Sequence, residues 1–204
     1  MKKHVSIILI SVLMLSMLAI AGCNNGNGGS GSSTEPEEGA EYDTSLMLQQ
    51  IMDSVKANVP EGVFIPMTMN IEVNGDNSKG YIGLETDKFG ELVIDAHVAM
   101  AGITSQAFLV ALIKCNDNSS AEVKNLIGRK EGFDSGRWIC VFPDVSIVVE
   151  CGRFVLLAAV PEAAVDTVVS ELGKQFQNTS VGSVLKFYEK GDEGEVIPFT
   201  EESN

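Results

Sequence analysis

The chain has 204 residues, 45% of them hydrophobic and 21% charged, enough apolar content for one buried core or at most two small ones, which excludes a disordered chain. Fourteen Lys and Arg stand against 28 Asp and Glu, a net charge of −14. That balance argues against a nucleic-acid partner gripped through its phosphates, and equally against an electrostatic hold on anionic lipid. Membrane attachment therefore calls for a hydrophobic or covalent anchor.

Lys2 and Lys3 precede an apolar run from Val5 to Ala21, broken only by Ser6, Ser11 and Ser16, the tripartite layout of a secretory signal. The run is at the short end of the roughly 17 to 25 residues that a spanning helix needs, and a polar linker follows at once. It closes on Ile20-Ala21-Gly22-Cys23, which resembles the lipobox of bacterial lipoproteins, where small residues let the processing peptidase cut just before the cysteine. The resemblance implies that residues 1–22 are a signal peptide and that Cys23 carries a diacylglyceryl thioether, with acyl chains such as palmitate. It also implies a mature protein anchored on the extracytoplasmic face of the cell membrane. Removing Lys2 and Lys3 leaves 12 basic against 28 acidic side chains, a mature charge of −16.

Asn24 to Glu41 is built from Asn, Gly, Ala, Ser, Thr and Glu with one Pro, too polar to fold. Residues 23–41 therefore read as a lipid-anchored flexible linker with an average reach of about 25 Å, from about 6 Å times the square root of its length. Gly26-Asn27-Gly28-Gly29-Ser30-Gly31 spells G-x-G-x-x-G inside it. With no strand before it and no helix after it, no nucleotide site is expected.

Leu48, Ile51, Met52, Val55 and Val59 recur at helical spacing behind an Asp43 or Thr44 cap, and Pro60 and Gly62 stop the pattern, predicting a helix over about 45–58. Val63 to Val73 is apolar and partly alternating, but Pro66 confines it to an edge strand or an irregular extended segment. After a polar turn from Asn74 to Gly80, Leu92 to Met100 and Ala107 to Ile113 read as an antiparallel hairpin. Ser119-Ser120-Ala121-Glu122 fits a capping box for a short helix to about Lys130. Trp138 to Phe142 begins an extended stretch, and Val145 to Val149 turns through Cys151-Gly152-Arg153 into Phe154 to Val160. Pro161 fits the first turn of a last helix carrying Val165, Val168, Val169, Leu172 and Phe176. The expected fold is an α+β domain over 42–177. Its antiparallel sheet runs strand-strand-helix-strand-strand-helix in two layers, with the helices on one face and an N-terminal helix before it. Residues 178–204 read as an acidic C-terminal tail.

Tyr81-Ile82-Gly83-Leu84, Thr104-Ser105-Gln106-Ala107, Arg137-Trp138-Ile139-Cys140-Val141 and Phe154-Val155-Leu156-Leu157 together resemble a domain family of unknown function from lipoproteins of Gram-positive bacteria. The resemblance spans roughly residues 45–177. It implies one domain in an exported lipoprotein and assigns no catalytic residues.

Of two histidines, His4 leaves with the signal, and His97 shares a strand face with Asp95. A catalytic Asp-His pair needs a nucleophile, and the chain has no G-x-S-x-G elbow. With one mature His, no C-x-x-C and no H-E-x-x-H, no zinc site is expected. Glu72, Asn74, Asp76 and Ser78 mimic a calcium loop, but Asn77 replaces its glycine and Gly83 its bidentate Glu. No metal and no cofactor are expected. Arg137 and Trp138 form a stacking platform for a sugar or peptide if both are exposed, and core if they are not. Of the three cysteines beyond Cys23, Cys115 and Cys151 at strand ends are the least strained disulfide pair, and Cys140 reads as a buried small hydrophobe. The leading expectation is a membrane-anchored extracytoplasmic lipoprotein with a non-catalytic binding or scaffolding domain for an unidentified protein or small-molecule partner. The alternative is a cell-envelope hydrolase using carboxylates such as Asp95, Glu150 and Glu162, which only folding would bring together.

Overall fold

The computed structural model describes residues 43–190 apart from 104, 105, 139, 177 and 178. The leader, the lipobox Ile20-Ala21-Gly22-Cys23, the linker and residues 191–204 lie outside the described residues. Helix α1 spans Thr44–Asn58, and the Asp43 carboxylate accepts from the Leu46 N–H at 2.9 Å, so the cap is Asp43. Strand β1, Thr68–Glu72, follows an irregular segment through Pro66. The expected polar turn holds through residues 74–77, and two short helices follow, α2 (Ser78–Ile82), which takes its last three residues, and α3 (Thr86–Leu92). Strands β2 (Val93–Ala101) and β3 (Leu109–Cys115) form the expected hairpin. Helix α4 covers Ser120–Gly128, strands β4 (Val145–Cys151) and β5 (Phe154–Val160) form the second hairpin, and a 3₁₀ turn at Glu162–Ala164 leads into helix α5, Val165–Gln175.

Every pairing in the sheet is antiparallel, in the order β1-β2-β3-β5-β4-β6. The protein is thus an α+β fold with an N-terminal helix, and β1 is an edge strand, where the nearby proline does no damage. The sixth strand, β6 at Leu185–Glu189, pairs with β4 and moves the expected domain end at residue 177. Leu185 and Phe187 pack onto the core and Tyr188 is 2% exposed. The described part of the stretch read as an acidic tail is therefore a closing edge of the sheet.

The helices do not share one face. Val110, Leu112, Ile147, Val149, Leu156 and Ala158 pack under α1 and α5, while Leu109, Ala111, Val148, Val155 and Leu157 pack under α4 and the loop that carries Phe133 and Trp138. The correction to three layers has a plain cause: every residue of β5 is buried, and β3 and β4 nearly so. Strands apolar on both sides need cover on both sides.

Three local expectations also change. Ser119 makes no side-chain cap, its hydroxyl meeting the Asp117 carbonyl at 3.5 Å. Pro161 precedes the 3₁₀ turn by one residue, as its N-cap. The described residues 138 and 140–142 form no strand but part of a loop over the sheet, pinned by the 2.9 Å bond between the buried Ser135 and Ser146 hydroxyls.

Glycine is required at Gly83, where φ is +78° and an added Cβ would sit 2.3 Å from the Phe133 nitrogen. The backbones of the α2–α3 turn and the loop after α4 meet there. Glu171, 4% exposed, accepts from Asn58 at 3.3 Å and pairs with Lys174 at 2.6 Å, tying α5 to α1.

The β6 assignment gives a stability test. Tyr188→Ala should destabilise the domain by about 3–5 kcal/mol, the usual cost of emptying an aromatic core site. The Tyr188 hydroxyl is buried with no hydrogen-bond partner among the described residues, so Tyr188→Phe should be neutral or stabilising, within about 1 kcal/mol. Denaturant melts of the two variants check both; an unchanged midpoint for Tyr188→Ala would detach β6 from the core.

Candidate functional site

Register places Asp95 opposite Lys114 and His97 between Leu112 on β3 and Glu72 on β1, on the face covered by α1 and α5. His97 Nε2 lies 3.5 Å from Asp95 Oδ1. The two other carboxylates considered for hydrolysis are not brought to this pair. Glu150 lies on the opposite face, 3.7 Å from Lys124, and Glu162 follows β5 at the other end of the sheet, 3.7 Å from Lys186. Lys124, itself 8% exposed, donates to the Ser183 carbonyl at 2.7 Å. Glu150 and Lys124 thus hold the chain leading into β6. Among the described residues no three His, Cys, Asp or Glu side chains are grouped to hold a metal ion.

Two of the four side chains that mimic a calcium loop, Asn74 and Ser78, are engaged in their own turn. Asn74 Oδ1 accepts from the Asp76 N–H at 3.0 Å, and the Ser78 hydroxyl, fully buried, donates to the Leu84 carbonyl at 2.8 Å.

Arg137 and Trp138 do not present the stacking platform. Trp138 is 8% exposed and meets Phe133 edge-on at 6.3 Å. The Arg137 guanidinium lies 5.2 Å from the Tyr81 ring centre and donates to the Gly80 carbonyl. Burial lowers its pKa from the ordinary arginine value, partly offset by Tyr81 and Asp134. The pair clamps the loop onto α2, which its apolar neighbours Ile139 and Val141 already hinted.

Cys115 and Cys151 are free thiols, and the sheet forbids their pairing. β5 lies between their strands, and Cys115 faces the α4 side while Cys151 faces the α5 side. Burial pushes the Cys115 thiol up to about 12, against a smaller lowering by Arg153, and the Cys151 thiol up to about 11. Cys140, expected to be buried, is exposed in a loop at φ +62°.

What sequence periodicity missed lies at one end of the sheet. The antiparallel register gathers the start of β1, the end of β2, the starts of β3 and β4 and the ends of β5 and β6 there. A shallow cleft of about 180 Å³ opens between them, lined by Phe64, Pro66, Gln106, Phe108, Phe142 and the carboxylate-bearing Asp144 among others. Gln106 Oε1 is buried with no hydrogen-bond partner among the described residues. Around the cleft, Met67 is 86% exposed, Phe64 66% and Ile103 61%. The available signal was the absence of charge: no Asp, Glu, Lys or Arg occurs in 63–71, 96–113 or 138–143.

Comparison of the chain with protein-family models, with curated proteins and with solved structures finds no match.

The cysteine geometry predicts a reactivity pattern. With thiolate scarce at the buried, raised-pKa positions, native protein at pH 8 should lose the Cys140 thiol first to a thiol-specific reagent. Cys115 and Cys151 should react only on denaturation, as peptide mapping would read. Because folding raises their pKa values above the unfolded range near 8.5, the unfolded chain ionises first. Their contribution to stability is therefore constant below about pH 8.5 and falls as pH climbs toward 11 to 12. A mapped Cys115–Cys151 disulfide in native protein would contradict the sheet order.

Proposed function

We propose that this protein is a lipid-anchored, extracytoplasmic bacterial lipoprotein whose domain works by binding or scaffolding rather than by catalysis. The observation that carries the anchor is the leader of two lysines and an apolar run ending in Ile20-Ala21-Gly22-Cys23. No described helix is long and apolar enough to cross a membrane, so attachment through the described domain would have to be peripheral.

The binding reading draws on how the reactive side chains are spent. Glu150 and Lys124 fasten the segment before β6, Arg137 clamps a loop, and Cys115 and Cys151 fill the core. The surface feature these contacts leave over is the apolar end of the sheet with its cleft. Exposed apolar patches on otherwise polar domains mark surfaces that meet a partner.

The anchor is tested at its one indispensable atom, the Cys23 sulfur. In a Gram-positive host fed an alkyne-bearing fatty acid, the wild-type chain should be labelled and shortened to start at residue 23. Cys23→Ala should show neither labelling nor that shortening. Unchanged labelling and processing of the variant would remove the anchor reading.

A further inference from the structure

We propose that the apolar β1–β2 corner at this end of the sheet, centred on Phe64, Met67 and Ile103, is a lipid-contact surface with which the domain rests on the bilayer. The proposal rests on the lipid-anchor reading above and extends it to the folded domain.

Composition is the first support. The chain is 21% charged, yet three stretches that build this end, 63–71, 96–113 and 138–143, contain no Asp, Glu, Lys or Arg. The charges at this end lie on its β4–β6 side, with Asp144 in the cleft lining and Glu162 and Glu189 paired to Lys186 at 3.7 and 3.5 Å, so the uncharged patch is the β1–β2 side that carries Phe64, Met67 and Ile103. Asp144 belongs to the cleft lining, its carboxylate accepting from the Glu162 N–H at 3.4 Å.

Side-chain type is the second. The projecting residues are Phe64, Met67, Met69, Ile103 and Phe142, flexible or aromatic apolar groups that can enter the headgroup boundary. Protein-binding hot spots favour Trp, Tyr and Arg. The only such residue in these stretches, Trp138, is turned into the core.

The third is where the domain begins. Ser45, in the first turn of α1, accepts from Asn70 at 3.0 Å, and Asn70 lies two residues along β1 from Thr68, the first residue of the strand at this end. Two strand residues span about 7 Å. The chain therefore enters the described domain beside the apolar end, and a lipid on Cys23 would present that end to the bilayer in preference to the far one. Tethering makes the contact intramolecular, so even weak partitioning of a few side chains is held by a high effective concentration.

The experiment reads the two ends of the sheet separately. The lipidated chain, in a Cys140→Ser background, is reconstituted into phosphatidylcholine vesicles, where lipid net charge neither drives nor opposes contact. One environment-sensitive dye is attached at Met67→Cys or at Asp117→Cys. Asp117 is 83% exposed beside the β4–β5 turn at the opposite end, and the buried Cys115 and Cys151 do not compete for dye. The Met67 dye should shift to the blue and lose intensity to brominated lipid, while the Asp117 dye keeps the emission it has in water. Water-like emission from both dyes on vesicle-bound chain overturns the proposal, leaves the anchor reading intact and favours a protein as occupant. A chain that does not float with vesicles fails the anchor reading instead. The same dye pair on a chain captured by an amino-terminal histidine tag on nickel-chelating lipid then decides the lipid-contact surface alone.

Discussion

Three strands in the middle of the sheet have apolar side chains on both faces, and the rest of the molecule is arranged to satisfy that demand. β5 reads Phe-Val-Leu-Leu-Ala-Ala-Val with every residue buried, flanked by β3 and β4. A ladder buried on both sides cannot lie on a single helical layer, because its other face would remain in water at roughly 25 cal/mol per Å² of apolar surface. Helices α1 and α5 close one side. Helix α4, the loop with Phe133 and Trp138, and Ile82, Leu84 and Leu92 from the short helices and the link between them close the other.

The covers are fixed by polar contacts at their edges. Glu171 joins α5 to α1, Lys124 reaches from α4 to Glu150 and Ser183, Ser135 bonds Ser146, and Arg137 lies over Tyr81. Each is buried or half-buried, and each would leave an unpaired polar group if its partner were lost, a larger penalty than the net gain from making the bond. Glu171, Lys124, Ser135 and Arg137 are thus engaged in holding layers together. What the layers do not cover is one end of the sheet, where Phe64, Met67 and Ile103 project.

Much of this was legible in the residues. Asp43 and Pro60 bracket α1, and both hairpins stand out as apolar runs around turns, with Gly152 at φ +58° supplying the second. The layer order was missed because helical periodicity shows that a helix has a buried face without saying which side of the sheet it meets. The unbroken apolar run of β5 was the cue. Cys115 and Cys151 looked compatible as strand ends; their opposite facing follows from side-chain parity only once β5 is known to lie between β3 and β4. β6 was hidden because Leu185, Phe187 and Tyr188 are interleaved with Lys186 and Glu189 ahead of an acidic stretch. The apolar end was invisible to periodicity, since its residues come from three separate connections that only the register gathers.

Two-sided cover as a single cooperative unit is tested most directly by native-state hydrogen exchange across a series of sub-denaturing guanidinium concentrations. If both faces of β5 depend on their covers, the amides in the middle of α4 and of α5 should open only with those of β5, converging on one global unfolding isotherm. Opening of α4 at a distinctly lower free energy, with β3 and β5 still fully protected, would contradict the account. It would show a sheet held by α1 and α5 alone, with the second layer as an attachment.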